Sequence, residues 1–306
     1  MSTRTSDAVT VRAPAKINLH LGVGAPRGDG FHPLATVYQA VGLYDDVTVS
    51  TAEQWSVEIV ADPHVDLAQV PATEDNIAVQ AGRALADHHG VALAARIEIH
   101  KGIPVAGGMA GGSADAAATL VALDRLWDLQ TSDDDLLAIA ARLGSDVPFA
   151  LLGGTAVGLG RGEQVEPLTD NGHYWWVAVF NDTGLSTPEV YRHYDVVCPE
   201  PPAPCVPDRL REALVSGEVS LLATALHNDL AQAALDLRPD LRGTVADGEA
   251  SGARAVLLSG SGPTLLLLAA DAEDARTVAG EMRARGHERL AAVPAPVHGA
   301  HVVTLA

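Results

Sequence analysis

The chain has 306 residues, more than one hydrophobic core usually sustains, so two units of ordinary size are expected. Hydrophobic residues make up 47% of it but aromatics only 4%, which leaves Ala, Val and Leu to fill the interior. Its 39 acidic against 20 basic residues give a formal charge of −19, a field that repels nucleic acid and excludes it as a partner; a phosphorylated small molecule stays within reach of a few backbone N–H groups and one Lys.

In chain order, VTVRAPAKINLHLGV reads as a strand, with Ile17, Leu19, Leu21 and Val23 on a buried face and Lys16, Asn18 and His20 on a polar one. The turn APRGDGFHP follows, then a strand with a break near Gly42 and another from Glu53 to about Val65. TEDNIAVQAGRALADHHG reads as a helix capped by Thr73 and stopped by Gly90. After the strand ARIEIHKGIP comes a glycine-rich segment. It opens a helix near Ser113 whose stripe is Ala116, Leu120, Leu123 and Trp127. Ser132 caps the next helix. Beyond a boundary placed at residue 160, EVSLLATALHNDLAQAAL reads as the clearest helix. The run from Ala253 to Gly286 reads as strand, glycine turn, strand, helix, giving an α+β second unit.

Cys198 and Cys205 flank PEPPAP; two cysteines in so long a chain suit a reducing compartment, and a disulfide between them stays open. No stretch nears the ~18 apolar residues of a membrane span, and MSTRTSDAVTVRAPAK has no apolar signal core. A cytoplasmic, soluble protein with no membrane partner is expected. The oligomeric state is left open.

The segment PVAGGMAGGSADAAATL carries the most chemistry. Gly107, Gly108, Gly111 and Gly112 let the backbone approach a polyanion, and the helix that follows aims free N–H groups at the same point. Gly107 to Gly112 supply the frame of a Walker A loop, but Ser113 stands where its Lys is required, and the dinucleotide fingerprint does not fit either. By itself the segment also reads as a flexible linker or a packed small-residue helix start.

Its company decides. Pro14 to Leu19 (PAKINL), the segment from Pro104 to Leu120 and the turn LLSGSGPTLLLL resemble, in order, the three motifs of the GHMP kinase superfamily. GDGFH, GSDVPF and STPEVY find counterparts in its diphosphocytidyl-methylerythritol kinase branch. Two residues depart from that pattern. Ala110 stands where the family usually has Gly, and Ala114 where it often has a second Ser.

The resemblance implies a two-domain α+β GHMP kinase architecture. Residues 1–160 would form a ribosomal protein S5 domain 2-like ATP-binding domain and residues 161–306 a ferredoxin-like substrate domain. It also implies ATP and Mg²⁺ as cofactors, with no metal ligands assigned. The small-molecule substrate is then cytidine diphosphate methylerythritol, phosphorylated at an alcohol. Lys16 would be the catalytic cation and Asp146 the general base or the group that orients the hydroxyl. ATP would lie against Pro104, Val105, Ala106, Gly107, Gly108, Met109, Ala110, Gly111, Gly112, Ser113 and Ala114, with Asn76 and Lys101 toward the nucleoside. The substrate would meet Asn18, Phe31 stacking on the base, His32 on its edge, Tyr191 on the other face, and Thr187 near the diphosphate. Read from the residues alone, Asp146 is as well a helix N-cap, Lys16 a solvated strand residue, Phe31 a lid on the core and Asn76 a helix cap. Another GHMP kinase, for homoserine, mevalonate or a sugar, and a non-catalytic ligand sensor are the rival readings.

Overall fold

The structure is a computed structural model and describes residues 8–68, 70–105, 107–181 and 183–303. Its first half runs β1 (Ala8–Val23), β2 (Leu34–Ala52), β3 (Ser56–Ala61), α1 (Ile77–His89), β4 (Ala94–Lys101), α2 (Gly111–Trp127), α3 (Asp133–Leu143), α4 (Val147–Leu152), β5 (Thr155–Gly160) and β6 (Gln164–Pro167). The second half runs β7 (Tyr174–Val179), α5 (Thr187–Val197), α6 (Asp208–Ser216), α7 (Val219–Ala225), β8 (His227–Asn228), α8 (Ala231–Leu237), α9 (Leu241–Ala250), β9 (Ala255–Leu258), β10 (Leu265–Ala269), α10 (Ala272–Ala284), β11 (Leu290–Ala295) and β12 (His301–Val303).

The first sheet has the order β12-β1-β2-β4-β3, with β5 and β6 continuing from β2 and β8 pairing in parallel with β1. On the edge away from β1, β2 serves two neighbours: residues 34–39 pair with β5, and residues 45–52 pair with β4. The break expected near Gly42 is a bulge in one continuous strand, since Pro14 faces Tyr44 while Ala15 faces Val41. A Cβ on Gly42 would lie 2.7 Å from the Pro294 ring, so a close approach of β11 demands the glycine.

α2 packs across this sheet. Its residues Ala114 to Leu120 are all buried, so the expected single stripe is instead a helix enclosed on nearly every side, which its small Ala residues permit. Trp127, at its end, is half-buried. α1 is capped by the Asn76 side chain on Ala78 N rather than by Thr73, and Gly90 ends it in the left-handed conformation as expected.

The second sheet, β11-β7-β10-β9, is antiparallel throughout. In chain order this is 4-1-3-2, the β-α-β-β-α-β ferredoxin-like arrangement. The apolar run of β10 lies in its middle and is buried throughout. The stretch read as one long helix breaks into α7, β8 and α8, because His227 and Asn228 leave the helix to pair with His20 and Leu21 of β1. Cys198 and Cys205 are both free thiols. Residue 160 falls at the end of β5, inside the β5–β6 hairpin, and β8 and β12 return to the first sheet from the second half.

Candidate functional site

The polar face of β1 is buried as well as the apolar one, because the second half closes over it. Lys16, Asn18 and His20 are 8%, 2% and 4% exposed. A Cβ on Gly260, in the turn between β9 and β10, would lie 3.4 Å from both Lys16 Nζ and Asn18 Oδ1, and the His227 ring stacks on His20 at 5.5 Å. Lys16 Nζ donates to Asn18 Oδ1 at 2.9 Å, Asn18 Nδ2 to Thr36 Oγ1 at 2.7 Å, and Thr36 Oγ1 to the His20 carbonyl at 2.7 Å. This chain fixes the ammonium without using all its donors.

Asp146 Oδ2 stands 3.7 Å from Lys16 Nζ. Asp146 does occupy the N-cap position of α4, but its side chain makes no capping bond, so the carboxylate is left to face Lys16. Two phenols crowd it. Burial first, and the Asp146 charge second, push the Tyr38 and Tyr191 hydroxyls above their ordinary range, so both remain neutral. Lys16 Nζ also lies 5.6 Å from the centre of the Tyr38 ring.

The glycine-rich loop is interlocked with the second glycine turn. A Cβ on Gly108, at φ 75°, would stand 2.3 Å from the Ser259 carbonyl oxygen, and Ser259 Oγ donates to the Gly108 carbonyl at 3.0 Å. Lys16 N donates to the Met109 carbonyl at 3.1 Å, which ties the loop to β1. α2 begins at Gly111, two residues earlier than expected, with Ala110 at its N-cap in the left-handed region at φ 60°. Ser113 is half-buried in the first turn, and the amide of Ala114 donates to the Ala110 carbonyl at 3.0 Å. Ala106 lies outside the described residues.

Two cavities meet at this loop. One of 360 Å³ is bordered by Asn76, Lys101, Pro104, Val105, Gly107 and Gly112 among others; one of 770 Å³ by Lys16, Asn18, Phe31, His32, Asp146, Thr187 and Tyr191 among others. Gly108 and Ala110 border both. A helix N-terminus of unpaired N–H groups with a cavity beside it suits a nucleotide's phosphate tail. In the larger cavity His32 Nε2 lies 2.8 Å from Asp195 Oδ1 and its ring 4.9 Å from that of Tyr191. Phe31 is 51% exposed, with the Arg161 guanidinium 5.1 Å from its ring centre. Thr187 Oγ1 and Ser261 Oγ are hydrogen-bonded at 2.8 Å across the cleft.

Lys101 borders the smaller cavity, yet its ammonium is committed elsewhere. It donates to Asp45 Oδ2 at 2.5 Å and to Asp115 Oδ2 at 2.7 Å, and is 2% exposed. Burial alone would lower its pKa; the two carboxylates outweigh that and raise it. Asn76 likewise spends its side chain locally, on Ala78 N and the Pro71 carbonyl.

Sequence reasoning missed four residues. Asp45 and Arg161 carry charges in segments read as plain strand and plain turn; Tyr38 sits in a strand pattern where an aromatic reads as core. Asn228 was read as mid-helix. Its Nδ2 donates to the carbonyls of Leu258 and Gly260, fastening the second glycine turn over Lys16. A polar pair, His-Asn, inside an Ala/Leu helix pattern was the available signal.

Comparison with known proteins shows the family. Residues 76–154 match the family described as GHMP kinases N terminal domain and residues 210–288 match GHMP kinases C terminal. A 4-diphosphocytidyl-2-C-methyl-D-erythritol kinase of Nocardioides sp. (strain ATCC BAA-499 / JS614) is 60% identical over 97% of this chain and 100% of its own length. A crystal structure of 4-(cytidine 5'-diphospho)-2C-methyl-D-erythritol kinase superposes with a TM-score of 0.78 at 32% identity, covering 94% of this chain and 99% of that one. L. major mevalonate kinase, at 16% identity and a TM-score of 0.75 over 98% of this chain and 100% of its own, shares the fold alone. The chain is a member of the GHMP kinase family, in the branch formed by the 4-diphosphocytidyl-2-C-methyl-D-erythritol kinases.

Proposed function

We propose that the chain transfers the terminal phosphoryl group of ATP to the 2-hydroxyl of 4-(cytidine 5'-diphospho)-2-C-methyl-D-erythritol, giving the 2-phosphate and ADP in the non-mevalonate route to isoprenoid precursors. The observation that carries this reading is the junction of two cavities at Gly108 and Ala110, with the Lys16 and Asp146 side chains 3.7 Å apart in the larger one. Phosphoryl transfer needs positioning and charge stabilisation more than covalent chemistry, and such a junction brings donor and acceptor into line.

In this reading the smaller cavity takes the nucleotide, its phosphates lying on the amides of residues 107 to 113 and its nucleoside toward Asn76. Lys16 neutralises charge on the transferring group, with donors that Asn18 does not consume. Asp146 receives or orients the acceptor proton, its own charge held by Lys16 and its approach shaped by Tyr38 and Tyr191. At the far end Phe31 offers an exposed ring to the cytosine, His32 its edge, and Thr187 a hydroxyl to the diphosphate. Mg²⁺ would come with the nucleotide, where it would offset the charge of the phosphates. Among the described residues no helix is long and apolar enough to cross a membrane, and a cytoplasmic location belongs to the same proposal. So does the assignment of nucleotide binding to the first 160 residues; the acceptor cavity draws on both halves, with Asn18, Phe31, His32 and Asp146 from the first and Thr187 and Tyr191 from the second.

The test is ADP release in a coupled assay with the cytidylyl alcohol, homoserine and mevalonate supplied separately. Release is expected with the first alone. Equal or faster release with either of the others overturns the substrate, and binding of the cytidylyl alcohol without ADP release favours a ligand sensor.

A further inference from the structure

The turn from Ser259 to Gly262 meets three groups at one point. A Cβ on Gly260 would lie 3.4 Å from Lys16 Nζ, from Asn18 Oδ1 and from the Gly108 carbonyl oxygen, so this residue packs against the lysine, its amide partner and the phosphate loop together. Gly260 and Ser261 border the larger cavity, and Gly108 borders both. The turn does little to fix itself. Gly260 and Gly262 stand at φ 55° and 82°, in a region that glycine enters and leaves without steric penalty. Its internal bonds run from Ser259 N to the Thr264 carbonyl at 3.0 Å and from Gly262 N to the Ser259 carbonyl at 2.8 Å. Its two hydroxyls reach outward, Ser259 Oγ to the Gly108 carbonyl and Ser261 Oγ to Thr187 Oγ1.

Asn228 supplies the fixed point. It is 7% exposed, and its Nδ2 donates to the Leu258 carbonyl at 2.9 Å and to the Gly260 carbonyl at 2.8 Å, while its Oδ1 accepts the Leu230 amide at 2.9 Å. Two acceptors at one end and a donor at the other leave the amide a single orientation. The residue that holds the turn is itself held on β1, the strand that carries Lys16 and Asn18. β8 pairs in parallel with β1, with Leu21 opposite Asn228. Asp229 N donates to the Leu21 carbonyl at 2.9 Å, and Val23 N to Asp229 Oδ2 at 2.8 Å. The height of the turn over Lys16 is therefore set from the same strand that carries Lys16.

We infer that Asn228 is a positioning residue for phosphoryl transfer: its two donated hydrogen bonds hold the glycine turn against Lys16 and Gly108, where the cavities join, and they serve turnover more than affinity. A group passing between two bound molecules tolerates little displacement of what surrounds it, whereas each substrate keeps its other contacts when the turn shifts. This rests on the reading of the two cavities as donor and acceptor sites.

The test compares the full-length wild type with Asn228→Asp and Asn228→Ala. Asp keeps the size and an acceptor for the Leu230 amide but lacks the NH₂ group; Ala lacks both. Turnover is measured by ADP release with ATP and the cytidylyl alcohol, per nucleotide site counted by calorimetry with a non-hydrolysable ATP analogue. It is expected to fall ~10-fold to 10²-fold in both variants, with KM for either substrate changed less than about threefold. Hydrogen exchange supplies an arm without substrate. The Ser259 and Gly262 amides are expected to exchange at least about tenfold faster in the variants, while the amides of β10 keep their rates. A KM that rises with turnover unchanged overturns the inference by giving the turn to binding, and unchanged exchange at Ser259 and Gly262 overturns the route through the turn. Variants that do not fold, or that exchange faster throughout β10 as well, make Asn228 a residue of the fold and overturn it too. A wild type that releases no ADP, with the exchange result as expected, overturns instead the proposed reaction, and the role in turnover with it.

Discussion

Lys16 and Lys101 end in the same sheet, both nearly out of water, and are held in opposite ways. Lys101 is caged by two carboxyl groups at 2.5 Å and 2.7 Å, at the junction of β2, β4 and α2. Lys16 has an amide oxygen at 2.9 Å and a carboxylate only at 3.7 Å, on a strand face that opens into the larger cavity. A buried cation whose donors are saturated ties elements together. One with donors to spare is able to meet a ligand. The largest expected effect follows from this contrast: Asp146→Asn lowers turnover ~10²-fold to 10⁴-fold with both substrates saturating, if Asp146 takes the proton. A loss below about tenfold would reduce Asp146 to positioning the hydroxyl.

Stability separates the lysines in the other direction. Lys101→Met leaves two buried carboxyl groups, Asp45 and Asp115, without their cation and is expected to cost about 3–5 kcal/mol in denaturant unfolding. Lys16→Met, which leaves Asp146 with a side chain 29% exposed to water, should cost about 1 kcal/mol or less while abolishing most activity. Equal losses of stability would erase the distinction.

The pH dependence of the cage has a definite sign. Asp115 is raised in the folded state, so above the unfolded value of 3.8 the unfolded chain holds fewer protons there than the folded one. Wild-type stability therefore falls, relative to Asp115→Asn, as pH rises above 3.8, by at most about 1.4 kcal/mol per pH unit until the folded group itself titrates. A wild type that gains stability against the Asn variant over that range would mean that Asp115 is ionised in the folded protein.

At the acceptor end the expected effect is smaller. Phe31→Ala removes an exposed ring available for stacking, which is worth about 1–3 kcal/mol per base, so KM for the cytidylyl alcohol should rise about tenfold with KM for ATP little changed. Equal rises in both would place Phe31 in the core's service instead.

What the sequence made legible differs between these two lysines as well. Lys16 and Asn18 lie two residues apart on one strand face, and period two brings such residues together without reference to the rest of the chain. The glycine loop likewise announces itself locally. Lys101 was legible only as a residue near the nucleoside, because its partners lie 56 and 14 positions away and no local pattern reports a cage. The same distance hid Asn228. A two-residue strand is too short to display a period, so the Ala and Leu residues around it read as continuous helix. The bulge at Gly42 was visible as an interruption, while its cause, the Pro294 ring of β11, was not.

Ala110 gives the smallest expected effect and tests how tightly the loop joining the two cavities is drawn. It holds φ 60° and ψ 37° at the N-cap of α2, a conformation that costs a residue with a Cβ about 1–2 kcal/mol. Glycine escapes that penalty, but gives back about 0.5–1 kcal/mol through the greater freedom of its unfolded chain. Ala110→Gly should therefore stabilise the protein by about 0.5 kcal/mol in denaturant unfolding, the difference of these two terms. A destabilisation beyond about 1 kcal/mol would mean that the methyl group contributes packing between the cavities that outweighs its strain. In that event the departure from glycine at this position stiffens the phosphate loop, and the variant's KM for ATP should rise as the loop loosens.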